Sequence, residues 1–174
     1  MIIAGAGGEG GTGKMMAISY EPIGIIHSPF AGIENVPIQP TAAIGIRGTV
    51  EVFAEFAAGL KDLEGFSHII LLYHFHRVTQ SRLVVTPFLD QELRGIFATR
   101  APARPNPIGL SGVKLLSVEA NVLQIENVDI VDGTPLLDIK PYVPEFDHYK
   151  VERTGWLAAA SRQVGGKRSD DRFG

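Results

Sequence analysis

The chain has 174 residues, 45% hydrophobic and 20% charged, which fits one globular domain with a sizeable core and excludes overall disorder. It contains no cysteine, excluding disulfides, a thiolate metal site and a cysteine nucleophile. The net charge of −3 speaks against a coat for duplex DNA, and no apolar run approaches the roughly 20 residues of a membrane span. Neither DNA nor a membrane is expected as a partner, and the cytoplasm is the expected compartment.

Residues 1–16 read as a flexible leader: six of the nine residues from Gly5 to Gly13 are glycine. Gly8 and Gly13 followed by Lys14 have the spacing of a phosphate-binding loop, but Met15 replaces the required Ser/Thr. There is no apolar stretch of the kind a signal peptide needs. From Ala17 onward, Val-, Ile- and Phe-rich segments punctuated by Pro, Gly and Asn predict strands over 20–27, 44–53, 67–76, 83–86, 94–99, 109–118, 122–130 and 136–141. Short strands at near-regular spacing point to an all-β sandwich or barrel and not to alternating βα units. Helix is sparse. Phe56, Leu60 and Leu63 form one stripe, and 155–163, capped by Thr154, is a second candidate. The glycine- and charge-rich tail over 165–174 is expected to fray.

Several segments carry chemistry-bearing residues. Pro37-Ile38-Gln39-Pro40-Thr41 is a stiff connection. His74 and His76 share one face of a strand, but no third ligand stands at metal-site spacing, so no metal is expected. Between Thr99 and Gly109, Pro102, Pro105 and Pro107 forbid helix and hold Arg100 and Arg104 in a rigid loop, suited to carboxylate or phosphate. Five arginines from Arg77 to Arg104 stand against only Asp90 and Glu92, a locally basic stretch on an acidic chain. Asp132-Gly133-Thr134-Pro135 is a turn between strands that presents a carboxylate and open backbone. Ser111 does not sit in a nucleophile elbow.

Taken in order, Ile23-Gly24-Ile25-Ile26-His27-Ser28-Pro29-Phe30, Gln39-Pro40, Leu63-Glu64-Gly65-Phe66-Ser67-His68, Phe97-Ala98-Thr99-Arg100, Arg104-Pro105-Asn106-Pro107-Ile108-Gly109, Asp132-Gly133-Thr134-Pro135 and Leu137-Asp138-Ile139-Lys140-Pro141-Tyr142 resemble the TrmO family, also called TsaA-like or YaeB-like. The resemblance covers about 20–147. It implies a single antiparallel β-barrel with a few short helices, a non-Rossmann methyltransferase using S-adenosyl-L-methionine. It also implies methylation of the exocyclic amine of threonylcarbamoyl-adenosine beside the anticodon of tRNA, by a homodimer with the cofactor pocket near the subunit interface. By motif, the resemblance assigns cofactor binding to Pro40, Thr41, Ala42, His76, Arg77, Arg100, Leu110, Asp132, Gly133, Thr134 and Pro135. Thr41 stands where the family usually has Gly, and Arg77 where it often has Gln. Arg94 and Arg104 are candidates for RNA contact, and Asp132 for polarising the acceptor amine. The expected organisation is a leader over 1–16, the barrel domain over 17–147, and a C-terminal helix and tail over 148–174 in place of the family's full additional C-terminal domain. Two alternatives differ in class: a non-catalytic sensor of S-adenosylmethionine, and a methyltransferase of small molecules.

Overall fold

The structure is a computed structural model that describes residues 17–160 and 166–173; the leader expected over 1–16 lies outside the described residues. Eight strands form: β1 Gly24–His27, β2 Arg47–Val52, β3 His68–His74, β4 Val84–Val85, β5 Arg94–Gly95, β6 Ile108–Glu119, β7 Val122–Glu126 and β8 Thr134–Pro141. Six of them close into an antiparallel barrel in the order β1-β2-β7-β6-β3-β8, with β8 pairing back onto β1. The expected all-β barrel is therefore what the chain adopts. β4 and β5 form a separate two-stranded ribbon.

Alternation drives the barrel. In β3, Ile69, Leu71 and Tyr73 face inward, and in β6 Gly109, Ser111, Val113 and Leu115 do. With Ile26, Val50, Val52, Leu123, Ile125 and Leu136 they make one core. Each fully buried aliphatic contributes roughly 1.5–3 kcal/mol. Towards the start of β6 the inward row changes from aliphatic to glycine and serine, so one end of the barrel is polar inside. There Tyr73 pairs with Gly109, and a Cβ built at Gly109 would clash with the Tyr73 ring; glycine lets the aromatic lie across the strand. At the same level β8 carries an extra residue opposite β3, shifting the register between Leu72 and Tyr73. Bulges of this kind re-aim side chains at barrel rims.

A second, smaller core lies outside the barrel. Val85, Ile96, Ala101, Ala103 and Phe173 bury one another, with Val78 and Phe88 packed against them. Phe173 meets Phe88 edge-on, ring centroids 5.2 Å apart. This overturns the expectation of a frayed tail. Asn35 N–H donates to Ser169 O and Ser169 N–H to Val36 O, a strand-like bridge that Pro37 and Arg168 extend. Arg172 grips Asp170 at 2.6 Å and lies over the Phe88 ring.

The expected helices are shorter than the patterns suggested. The Phe56–Leu63 stripe becomes 3-10 turns over Ala54–Leu60 and Leu63–Gly65, separated where Asp62 takes a left-handed φ of 67°. Of the second candidate, Gly155 and Trp156 form a turn, an α-helix spans Leu157–Ala160, and 161–163 lie outside the described residues.

Candidate functional site

The polar end of the barrel opens into a cleft of about 600 Å³, within the size range of small-molecule sites. The end of β3 supplies Tyr73, Phe75, His76 and Arg77, the start of β6 supplies Ile108 to Leu110, and the β7–β8 connection supplies Asp129 to Val131 with Thr134. The loop before a first 3-10 turn, Pro40–Ala42, contributes Gln39, the proline-rich loop Arg100, and the C-terminal segment Trp156, Ser169, Asp170 and Phe173.

A hydrogen-bonded chain runs from the barrel interior to this wall. Ser111 Oγ donates to Asp129 Oδ1 at 2.7 Å. Because that uses the only proton of the hydroxyl, the 3.0 Å contact between Tyr73 Oη and Ser111 Oγ has Tyr73 as donor. Burial pushes the Asp129 carboxyl up to about 6, against the Ser111 hydrogen bond and the Arg100 charge, which pull it down. Burial and the neighbouring Asp129 charge likewise raise the Tyr73 phenol. On the opposite side Thr134 Oγ1 donates to Val131 O at 2.6 Å, so its 3.3 Å contact with His76 Nδ1 receives the imidazole proton and leaves Nε2 as an acceptor. Burial, then the charges of Arg77 and His74, lower the His76 pKa.

The structure brings together only part of the expected set. His76, Arg77, Arg100, Leu110 and Thr134 line the cleft. Pro40, Thr41 and Ala42 form a 3-10 turn directly after Gln39, whose Oε1 accepts a 2.9 Å bond from Arg100; they buttress the wall without lining it. Asp132, Gly133 and Pro135 flank Thr134 but act as a fastening. Asp132 Oδ1 accepts from Ser28 N–H at 3.1 Å and contacts His27 Nδ1 at 3.3 Å. Gly133, at φ 73°, donates its N–H to Ile26 O. The Ser28 amide, then His27, hold the Asp132 carboxyl below the usual range. The arginines expected at RNA are engaged within the chain. Arg94 pairs with Asp90 at 2.7 Å and Glu92 at 2.9 Å, and Arg104 Nη1 donates to Thr99 O at 2.9 Å and Ile96 O at 3.2 Å. Among the described residues no three His, Cys, Asp or Glu side chains gather as a metal-binding group.

Sequence reasoning missed Tyr73, Ser111 and Asp129. The available signal was Ser111, which stands on the inward row of Val113 and Leu115 where alternation calls for an aliphatic residue; Asp129, between buried Val128 and Ile130, stands where alternation admits a polar residue and gave none.

The family model of the tRNA-methyltransferase O N-terminal domain matches residues 25–148. The chain belongs to the TrmO family. A relative from Pyrococcus abyssi, named a probable S-adenosyl-L-methionine-binding protein, is 59% identical over 91% of this TrmO-family chain and 86% of its own length. The Escherichia coli tRNA (adenine(37)-N6)-methyltransferase is 39% identical over 75% of this chain and 60% of its own length. The crystal structure of TrmO from Pseudomonas aeruginosa superposes with a TM-score of 0.68 at 41% identity, covering 81% of this chain and 63% of that one. The chain thus spans most of the archaeal relative and under two thirds of these two bacterial ones.

Proposed function

We propose that this chain is an S-adenosyl-L-methionine-dependent methyltransferase whose acceptor is the exocyclic amine of a tRNA adenosine, the threonylcarbamoyl-adenosine beside the anticodon. The observation that carries the reading is the cleft itself: apolar walls broken by a few convergent polar groups at the mouth of the barrel. Membership of the TrmO family supports the reaction class, and the printed names of the relatives support the cofactor and the tRNA.

The donor set fits the cofactor. Its adenine and aliphatic parts suit the apolar walls, and its carboxylate suits the exposed guanidiniums of Arg77 and Arg100. When bound, S-adenosylmethionine supplies an electrophilic methyl group on sulfonium sulfur. The chain's own residues orient the acceptor. An adenine amine is a weak nucleophile, because its lone pair is delocalised into the ring; acceptors such as His76 Nε2 hold its N–H and stabilise the positive charge that develops. An anticodon-loop base is already unpaired, so presenting it to a cleft costs less than flipping one from a duplex. Exposed apolar side chains at Leu83, Val84, Leu93 and Phe97, on and beside the β4–β5 ribbon, support a homodimer.

A second reading, a sensor that binds the cofactor without using it, is favoured by the name of the Pyrococcus relative. Calorimetric titration with S-adenosylmethionine, followed by transfer of labelled methyl to unfractionated tRNA, separates the two. The enzyme reading expects saturation near one cofactor per chain, about tenfold weaker in Arg100→Ala, and labelled tRNA. Tight binding with no label in tRNA would select the sensor.

A further inference from the structure

We propose that Asp129 is the proton acceptor of the transfer step, with Ser111 and Tyr73 as its positioning residues. The inference rests on the methyltransferase reading and assigns it a catalytic residue. Two carboxylates line the cleft, Asp129 and Asp170. Asp170 is neutralised by Arg172, whose Nε and Nη2 reach its two oxygens at 2.7 and 2.6 Å. Asp132, the carboxylate that the sequence points to, is outside the lining and occupied by Ser28 and His27. Asp129 alone of the three is in contact with neither an arginine nor a histidine among the described residues. Ser111 donates to Oδ1, and the Tyr73 hydroxyl fixes Ser111 from behind. The Asp129 backbone amide adds a bond to the carboxylate, and Ser111 is its only side-chain donor among the described residues, so a carboxylate on the cleft wall keeps acceptor capacity for a donor from outside the chain, and an acceptor N–H is such a donor.

The step balances. The acceptor nitrogen forms a bond to the methyl carbon, and the carbon–sulfur bond breaks with its electron pair returning to sulfur. The N–H bond breaks with its pair staying on nitrogen, and the proton passes to the Asp129 carboxylate. Sulfonium and carboxylate become thioether and carboxylic acid, and water later removes the proton. The charged and titratable groups facing Asp129 are Tyr73 from β3 and Arg100 from the proline-rich loop; His76 and Arg77 share the cleft wall. With its carboxyl at about 6, Asp129 is ionised at neutral pH yet basic enough to take a proton.

The test is single-turnover methyl transfer to tRNA from pH 5 to 8 for the wild type, Asp129→Asn and Ser111→Ala, beside calorimetric binding of S-adenosylmethionine to each. In the wild type, the logarithm of the rate rises with unit slope and levels off above about pH 6. Asp129→Asn loses about 100-fold or more and its pH dependence, while binding the cofactor within about threefold of wild type. Ser111→Ala, lacking the donor that favours the ionised form, moves the break to higher pH. Transfer by Asp129→Asn within threefold of wild type, or the same pH limb in that variant, overturns the proposal and leaves the enzyme reading standing. Absence of transfer in the wild type overturns the enzyme reading itself, and this inference with it.

Discussion

Asp129 and Asp132 lie three residues apart and do opposite things. Asp132 is half-buried and stabilised as an anion by an amide and an imidazole; Asp129 is set into the barrel wall, and burial drives its carboxyl up. Pairs of carboxylates whose surroundings push them apart divide roles in this way. The consequence for stability has a definite sign. The unfolded carboxyl titrates near 3.8 and the folded one near 6, so between those values the folded state binds the extra proton. Stability contributed at this site therefore falls as pH rises from about 4 to about 6, and the full penalty is present above that. Asp129→Asn removes it. The variant is expected to be more stable than wild type at pH 7.5, by up to about 3 kcal/mol, with the gain gone at pH 3.5; denaturant melts at the two pH values read the difference. A variant no more stable at pH 7.5 would mean that the carboxylate is better solvated than its place in the wall implies. The sequence singled out Asp132 because a turn motif is visible locally. Asp129 was hidden because its environment is made by β3 and β6, tens of residues away.

At the scale of elements, local chemistry made most of the barrel legible. Alternating aliphatic residues placed the six barrel strands, but of the strand expected over 94–99 only Arg94–Gly95 forms, because Ile96–Ala98 winds into a 3-10 turn; two of the misjudged barrel-strand ends have backbone causes. β2 starts at Arg47, later than 44, because Gly45 turns the chain at φ 79°, and β7 stops at Glu126 because Asn127 sits at φ 71°. Side-chain periodicity carries no trace of either. The proline-rich loop was legible as rigid, but its arginines were not legible as different. Arg100 is exposed and hydrogen-bonds to Gln39, whereas Arg104 gathers the carbonyls of Ile96 and Thr99 and stacks near Phe97. Prolines remove donors from the loop, and Arg104 supplies N–H groups to carbonyls that would otherwise lack partners. Arg104→Ala is therefore expected to destabilise the fold by about 1–2 kcal/mol and to speed amide exchange at Thr99 and Ala101. Arg104→Lys, with a single ammonium in place of the fork, recovers only part. If instead Arg104→Ala melted like wild type while losing RNA affinity and salt dependence, the residue would belong to the RNA-binding face.

For the whole molecule, the feature the sequence concealed most completely is the return of the C-terminal segment to the cleft. Glycine and charge dominate it, and the contacts that dock it include backbone bonds to Asn35 and Val36, which leave no mark in residue type. Phe173 alone is apolar enough to have signalled a core position, and one aromatic is too little to set against a polar run. Yet this segment joins three parts: the loop before the first 3-10 turn through Ser169, the β4–β5 region through Arg172 and Phe88, and the second core through Phe173. Phe88, Ser169 and Phe173 also line the cleft, so the second core and the cleft share a wall. Phe173→Ala empties a position that is 7% exposed, and a loss of about 2–4 kcal/mol is expected. It would appear as faster proteolysis after residue 148 and about tenfold weaker binding of S-adenosylmethionine, while the barrel itself, whose core does not include Phe173, keeps its strand signal in circular dichroism. Cofactor affinity unchanged in the face of rapid tail cleavage would show that the barrel and proline-rich loop form the binding site by themselves, and that the C-terminal segment only covers it.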